Sequence, residues 1–260
     1  EFGWELFAWH AYVRALSRNF DKTIVICRKN SQYLYEDCAH KFLVCEPSTG
    51  LADSFFMHGF DQQKELKNIL LRSNISISKD TSLFTPRRIG WPPNTHYSEE
   101  FKFGSHVVKP EYLIFKNEEI SNKYDFIFHA RNRKLRSEDN WSPKRWEELV
   151  TMLGGRIACI GTKAESLHIR GTEDLRGLPL NELCGIINLS KCVFGPSSGP
   201  MHLASLCNTP HVVWSIPGNK TRYENTWNPH KTPVLFLCDY KWHPKAEYVY
   251  EKYADWIKEI

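Results

Sequence analysis

The chain has 260 residues, 42% of them hydrophobic, so it is long enough to bury the cores of two small α/β domains. Its formal net charge of +4 favours anionic ligands but falls well short of the basic surface of a dedicated nucleic-acid-binding protein. The longest apolar runs have only the length of a strand, which argues against a membrane-spanning helix.

The first part of the chain predicts helices alternating with short strands. Apolar side chains at helical spacing predict a helix over residues 4–17, and a strand over residues 23–27 follows it. A second short strand is predicted at residues 43–45 and a second helix at residues 62–71. This order is typical of one α/β domain.

Residues 78–106 differ from the segments before them. Their prolines and glycines predict an extended loop, with Trp91, His96 and Tyr97 available to a partner. The polar residues 116–124 then predict a linker. We therefore expect an N-terminal domain at residues 1–117.

From residue 125 onward, strands and helices alternate regularly, which predicts a parallel sheet. The predicted strands cover residues 125–129, 156–160, 192–195 and 211–216. The predicted helices cover residues 143–153, 163–168, 180–189, 200–207 and 244–260. We expect residues 118–243 to form a second domain and residues 244–260 to form a terminal helix.

Within this second half, residues 193–218 read as a strand, a Ser/Gly turn, a short helix and another strand. The start of the helix has unpaired backbone N–H groups, Ser197 and Ser198 add hydroxyl donors, and Gly199 lets the backbone approach a bulky anion. This combination predicts a diphosphate site. The alternative is an ordinary βαβ crossover capped by serine.

Four cations lie within the six residues 131–136, directly after a predicted strand. Because open α/β sheets bind ligands at the carboxyl ends of their strands, this position favours phosphate contact for Arg131, Arg133 and Arg136. The alternative is a solvated basic loop.

The eight cysteines form no Cys-x-x-Cys pair, a usage typical of buried thiols in a reducing compartment. Since no charged-then-apolar leader is present, we expect a cytoplasmic protein, either bacterial or, if viral, in the host cytoplasm. The sequence has no Asp-x-Asp pair and no zinc-like His/Cys spacing, so we expect no metal. It does not indicate an oligomeric state.

Residues 195–204, Gly-Pro-Ser-Ser-Gly-Pro-Met-His-Leu-Ala, resemble the donor-phosphate motif of heptosyltransferase-like glycosyltransferases of family 9. Further similar motifs follow the family's order across residues 125–218. Two family features differ, since Ser197 replaces an acidic residue and the lysine before the tryptophan-proline pair is absent. The nearby arginines are candidates for the missing positive charge.

The resemblance implies a GT-B-like α/β fold: two Rossmann-like domains with parallel sheets facing a central cleft, and a C-terminal helix crossing back. Residues 1–117 would then form the acceptor-side domain and residues 118–243 the nucleotide-sugar-binding domain, while the helix of residues 244–260 would pack back toward the N-terminal domain. It also implies metal-independent, inverting transfer of a sugar from a nucleotide-diphosphate sugar, which is a co-substrate rather than a cofactor. The acceptor would be a hydroxyl of a glycan or, as a second option, of a hydroxymethylated base in viral DNA. A non-catalytic nucleotide-sugar-binding protein and a nucleotide-sugar epimerase stay open as alternatives.

The same resemblance implies roles for individual residues. It places Glu5 at the family's catalytic aspartate, with Glu1 as the competitor, whereas a helix-dipole role is the alternative for such an acid. The residues expected at the donor diphosphate are Ser197, Ser198, Gly199, Pro200, Met201, His202, Arg131, Arg133 and Arg136. Those expected at the nucleoside are Gly161, Lys163, Glu165, Leu178 and Leu180. Those expected at the donor sugar are Arg222, Tyr223 and Trp227, for which ordinary loop packing is the alternative.

Overall fold

A computed structural model of the chain describes residue 3 and residues 5–45, 62–75, 77–85, 96–121 and 123–260. It divides into two compact units, Glu1–Glu111 and Tyr112–Ile260. The division falls a few residues before the expected boundary at residue 117. Glu1 and Trp91, both singled out in the sequence, lie outside the described residues.

The N-terminal unit begins with a π-helical turn, Glu5–Trp9, that runs directly into helix α1, His10–Ser17. Strands β1, Ile24–Cys27, and β2, Lys41–Val44, pair in parallel and are connected through a 3-10 helix, Lys29–Tyr35. Helix α2 covers Gln62–Arg72. These elements confirm the predicted order of helices and strands in this half.

The prediction of an extended loop over residues 78–106 is wrong at its C-terminal end. Strands β3, Phe101–Phe103, and β4, His106–Val108, form an antiparallel hairpin. Gly104 makes the turn with a φ of +62°, a left-handed conformation that glycine adopts without strain. The hairpin forms because buried Phe103 and Val108 pack against the side chains of helix α1.

The C-terminal unit is built on six parallel strands in the order β10-β9-β8-β5-β6-β7. This finding confirms the predicted α/β class and the parallel sheet. The strands are β5, Phe126–Phe128; β6, Ile157–Cys159; β7, Glu173–Asp174; β8, Cys192–Pro196; β9, His211–Trp214; and β10, Val234–Leu237. The helices are α3, Pro143–Leu153; α4, Leu180–Leu189; α5, Gly199–Leu206; and α6, Ala246–Trp256.

Three buried tryptophans lie at the centre of this unit's core. The rings of Trp141, Trp146 and Trp214 are within 4.7 to 5.3 Å of one another. Helix α6 adds Val249 and Tyr253 to the same core. The predicted return of the terminal helix toward the N-terminal domain stays a prediction.

The helix predicted at residues 163–168 is wrong. One turn forms, in which Ser166 donates its backbone N–H to the Thr162 carbonyl at 3.0 Å. The next amide, that of Leu167, donates instead to the carbonyl of Ala130 at 2.8 Å. This non-local bond stops the helix after its first turn.

The order of the strands creates one special position at the sheet's edge. The chain passes from β5 to β6 and β7 on one side, then returns to β8 on the other side of β5. In such open sheets the crevice outside the carboxyl ends of the two diverging strands is the usual ligand site. None of the described helices is long and apolar enough to cross a membrane.

Candidate functional site

Two short segments meet where β5 and β8 end. One is His129 to Arg131, after β5, and the other is the turn Ser197 to Gly199, after β8. The backbone amide of His129 donates to the Phe194 carbonyl at 2.9 Å, which extends the pairing of the two strands up to the site. The predicted anion turn therefore lies at the position where the topology favours a ligand.

Ser198 precedes the first residue of α5 and has extended backbone angles. Its amide donates to the Tyr223 hydroxyl at 2.9 Å, and this hydroxyl in turn lies 3.1 Å from the Ser197 hydroxyl. The Ser198 hydroxyl lies 2.8 Å from Nδ1 of His129 and makes no capping bond to the helix. Tyr223 and His129 therefore both fix the turn through hydrogen bonds to Ser198.

The number of amides that could face an anion is smaller than the sequence predicts. Those of Met201 and His202 donate to the Ser198 carbonyl, and that of Ser198 is taken by Tyr223. Pro200 has no N–H. The amide of Gly199, the first residue of α5, has no acceptor within its own helix and is the donor best placed for a ligand.

Arg131 carries a buried charge beside this turn. Its side chain is 3% exposed and donates to the carbonyls of Ser197 at 2.9 Å and Asp139 at 2.6 Å. The guanidinium also lies 4.8 Å from the centre of the Trp242 ring. Among the described residues its Nε has no hydrogen-bond partner, and the nearby carboxylate of Asp139 stabilises the charge by electrostatic attraction.

Burial, with a further contribution from the charge of Arg133, lowers the pKa of Arg131 to about 10, so the side chain stays charged at neutral pH. A buried cation is costly, and the attraction of the Asp139 carboxylate offsets only part of that cost, because the pKa of Arg131 stays below its ordinary value. A bound anion would offset the rest of that cost. Arg131 therefore makes this corner of the sheet selective for negative charge.

The two histidines at the site carry no charge at neutral pH. Burial, and then the charges of Arg131 and Arg133, lower the pKa of His129 to about 3. Burial, and then His211 and Arg222, lower the pKa of His202 to about 3. Both rings can donate and accept hydrogen bonds, but the positive charge comes from arginine.

Tyr223 and Trp227 are buried rather than presented to a ligand. The Tyr223 ring is fully buried and stacks on the His202 ring at 4.3 Å. The Trp227 ring lies edge-on to the same His202 ring, with 5.0 Å between the ring centres. Stacking of the Tyr223 ring on a sugar does not fit this arrangement, because neither ring face reaches solvent. Arg222, half-buried and 5.0 Å from the Trp227 ring, is the predicted sugar-site residue that keeps an open side.

Two further predicted contacts are buried in the same way. Met201 is fully buried under the turn and Leu180 is buried in α4, so their side chains support the site from within. A ligand contact does not fit either side chain. Their apolar character is explained by this packing.

The predicted nucleoside side lies at the carboxyl end of β6. The Gly161 carbonyl accepts from the Gly177 amide at 2.8 Å, and a Cβ on Gly161 would come within 3.0 Å of the His129 ring. The Lys163 side chain approaches Gly177 and is exposed, while Glu165 and Leu178 are half-buried. The structure thus places Gly161 beside His129 and Lys163 beside Gly177, and their contact with a nucleoside stays a prediction.

The other predicted arginines are less fixed by contacts. Arg133 is half-buried, and its backbone exchanges two hydrogen bonds with the side chain of Asn140. Arg136 is exposed and has a left-handed φ of 56°. Their contact with a phosphate stays a prediction.

In the N-terminal unit, the Glu5 carboxylate is surrounded by donors. It accepts from Arg28 at 2.8 Å, Ser31 at 2.9 Å and Tyr35 at 3.0 Å. Burial, followed by the neighbouring Glu5 charge, raises the pKa of Tyr35 well above its usual range. Glu5 is therefore held firmly at the end of β1, and its role as a base stays a prediction.

The residues missed from the sequence include His129, Arg28, Ser31 and Tyr35. Two of them had a signal, because His129 ends one predicted strand and Arg28 directly follows another, and ligand-site residues concentrate at strand ends in α/β sheets. Tyr35 gave no such signal. No group of three or more metal-binding side chains occurs in the part of the chain that the structure describes.

Two solved structures resemble the chain over nearly its whole length. One is a family 9 glycosyl transferase from Veillonella parvula DSM 2008, with 12% sequence identity, a TM-score of 0.61, and coverage of 100% of this chain and 95% of that one. The other is the ADP-heptose LPS heptosyltransferase II of E. coli, with 12% identity, a TM-score of 0.59, and coverage of 99% and 96%.

No protein-family model matches the sequence, and neither does any curated protein. At this level of identity the two structures establish the fold. The resemblance seen in the motifs is confirmed to that extent: the chain has the GT-B-like α/β fold of heptosyltransferase-like family 9 proteins.

Proposed function

We propose that the chain is a glycosyltransferase that transfers a sugar from a nucleotide-diphosphate sugar to a hydroxyl acceptor, with inversion and without a metal. The observation that carries the proposal is the buried charge of Arg131 beside the Ser197–Gly199 turn, which the Asp139 carboxylate compensates only in part. The two proteins of the same fold are named as glycosyl transferases, and one is named for ADP-heptose.

The site's chemistry suits a departing diphosphate. Negative charge grows on the diphosphate as its bond to the sugar breaks, and fixed donors in a water-poor site stabilise that charge best. Arg131 supplies a cation, Gly199 an amide and Ser198 a hydroxyl, all held by neighbouring groups before the ligand arrives. Such pre-organisation takes the place that a divalent ion would otherwise fill.

The acceptor hydroxyl must lose a proton, and Glu5 is the proposed base. Arg28 and Tyr35 fix its carboxylate, so little reorientation is needed when a proton arrives. We expect Glu5→Gln to keep donor affinity and to lose transfer by 100-fold or more, since general-base catalysis contributes on the order of 10² to 10⁴. Unchanged transfer by this variant would remove Glu5 as the base.

A second candidate is a non-catalytic nucleotide-sugar-binding protein. The specific observation in its favour is that three donors already occupy the Glu5 carboxylate. Product analysis with glycan acceptors and with hydroxymethylated DNA separates the candidates. Binding of a donor without any product favours the binding protein, whereas conversion of the donor without an acceptor indicates an epimerase.

The donor site is tested by calorimetry with ADP, UDP, GDP and CDP and their sugars. Arg131→Met should weaken the best ligand at least tenfold, because a charge-assisted interaction is lost. Arg170→Met is the matched control, since it removes an exposed arginine that pairs with Glu147. Equal affinities for the two variants would contradict the proposed anion site, as would the absence of binding to any nucleotide.

A further inference from the structure

A serine at the position just before a helix normally accepts a hydrogen bond from an amide of the first turn. Ser198 holds this position ahead of α5, yet its hydroxyl makes no such bond. It lies instead 2.8 Å from Nδ1 of His129, a residue 69 positions earlier in the chain. The hydroxyl is therefore committed to the histidine rather than to the helix.

The His129 ring has little freedom to leave this contact. The residue is 7% exposed and lies between two glycines at the ends of neighbouring strands. A Cβ on Gly161 would come within 3.0 Å of its ring, and a Cβ on Gly195 within 3.3 Å of its own Cβ. The two glycines thus allow close packing around His129, although an added Cβ would first meet Ser166 at Gly161 and Met201 at Gly195.

A neutral imidazole carries its hydrogen on either Nδ1 or Nε2, and the two forms act oppositely on Ser198. With hydrogen on Nε2, the serine donates to Nδ1 and presents only lone pairs to a ligand. With hydrogen on Nδ1, the ring donates to the serine oxygen and frees the hydroxyl proton. An anion is attracted by the second arrangement and repelled by the first.

The geometry points to His129 as a positioning residue: as the Nδ1–H form it donates to Ser198 and turns the hydroxyl proton of Ser198 toward the diphosphate of the nucleotide. This inference rests on the proposed function. It adds a residue that acts through Ser198 and does not itself touch the ligand. The buried charge of Arg131, which donates to the Ser197 carbonyl of the same turn, independently favours an anion there.

The test is a double-mutant cycle read as affinity for pyrophosphate and for the best nucleoside diphosphate. Ser198→Ala removes one hydrogen bond to a charged group, and His129→Phe leaves the Ser198 hydroxyl proton without the group that orients it. Each variant should therefore weaken binding about tenfold. The double variant should bind no more weakly than Ser198→Ala alone. Losses that multiply would overturn the inference, because His129 would then act independently of Ser198.

His129→Asn keeps an N–H donor near the Nδ1 position and should bind within roughly threefold of the unaltered protein. A loss as large as that of His129→Phe would contradict the assigned role. This variant also serves if the Phe variant does not fold, and melting temperatures of all variants report on folding.

Nitrogen NMR of histidine-labelled protein gives a readout that a purely structural role would not change. The resonances of His129, assigned by their loss in His129→Asn, should show the Nδ1–H form when pyrophosphate is bound. An Nε2–H form in the complex would overturn the inference. If the unaltered protein binds neither pyrophosphate nor any nucleotide, the proposed function itself fails; binding with multiplicative losses overturns only the role of His129.

Discussion

At the scale of single residues, the site depends on buried groups that hold a small number of exposed ones. The Tyr223 hydroxyl accepts the Ser198 amide and contacts the Ser197 hydroxyl, so one phenol fixes both serines. Burial raises the pKa of Tyr223 to about 12, which keeps the hydroxyl protonated at any physiological pH. Because the Tyr223 ring is fully buried, it fixes the conformation of the turn and does not itself contact a ligand.

Tyr223→Phe should therefore keep the fold but weaken the anion site. The ring packing on His202 is retained, whereas the Ser198 amide loses its acceptor, at a cost of about 1 kcal/mol in the free energy of unfolding. We expect nucleotide affinity to fall several-fold because the turn is no longer held. Urea denaturation and calorimetry measure the two effects.

Tyr240→Phe is the control for that variant, because it removes the same atom from a ring that is 54% exposed. It should leave both stability and affinity unchanged. If the two phenylalanine variants behaved alike, the bracing role of Tyr223 would have to be abandoned.

At the scale of elements, a hairpin and a stopped helix show how tertiary contacts alter local preferences. The β3–β4 hairpin turns at Gly104 with a positive φ, and a Cβ there would meet nothing within 4 Å. Gly104→Ala should thus destabilise the protein through backbone strain alone, by about 1 kcal/mol. Chemical denaturation followed by a probe of the N-terminal unit measures the loss.

The chain offers a matched control for this backbone effect. Gly218 also has open space where a Cβ would lie, but its φ is not in the left-handed region. Gly218→Ala should leave stability within a few tenths of a kcal/mol of the unaltered protein. A similar loss in both variants would show that the positive φ is not the cause.

The same elements show how far the sequence alone can predict this protein. Helix α4 and four of the six strands of the parallel sheet, β5, β6, β8 and β9, were predicted from apolar patterns, and the Ser197–Gly199 turn from its motif. The stopped helix at residues 163–168 could not be predicted, since it ends on a bond from Leu167 to Ala130. The contacts of His129 and Tyr223 with Ser198 were also hidden, because they join residues 69 and 25 positions apart.

At the scale of the whole molecule, three neutral histidines buried in the C-terminal unit link its stability to pH. Burial lowers the pKa values of His129 and His202 to about 3 and that of His211 to about 4, from an ordinary value of 6.5. The unfolded chain takes up these protons below pH 6.5 and the folded chain does not. Their contribution is therefore complete above pH 6.5 and is lost as the pH falls toward 4 and 3.

The free energy of unfolding should decrease between pH 6 and pH 5 by about 1.4 kcal/mol per pH unit for each such histidine. His211→Asn should reduce this pH dependence by the contribution of one histidine, because the His211 ring is fully buried and lies apart from the proposed ligand contacts. Urea denaturation across this pH range gives the slope. A flat profile in the unaltered protein would mean that the three rings are protonated in the folded state as well.

The strand β7, which forms one edge of the six-stranded sheet, has only two residues, and both are acidic and exposed. Arg176 donates two hydrogen bonds, from Nε and Nη2, to the two carboxylate oxygens of Asp174 and so holds this side chain in place. An edge strand this short and this negatively charged exposes too few unpaired backbone groups for another polypeptide to pair with it as a further strand. This edge of the sheet therefore resists edge-to-edge aggregation, which a longer apolar edge strand would promote.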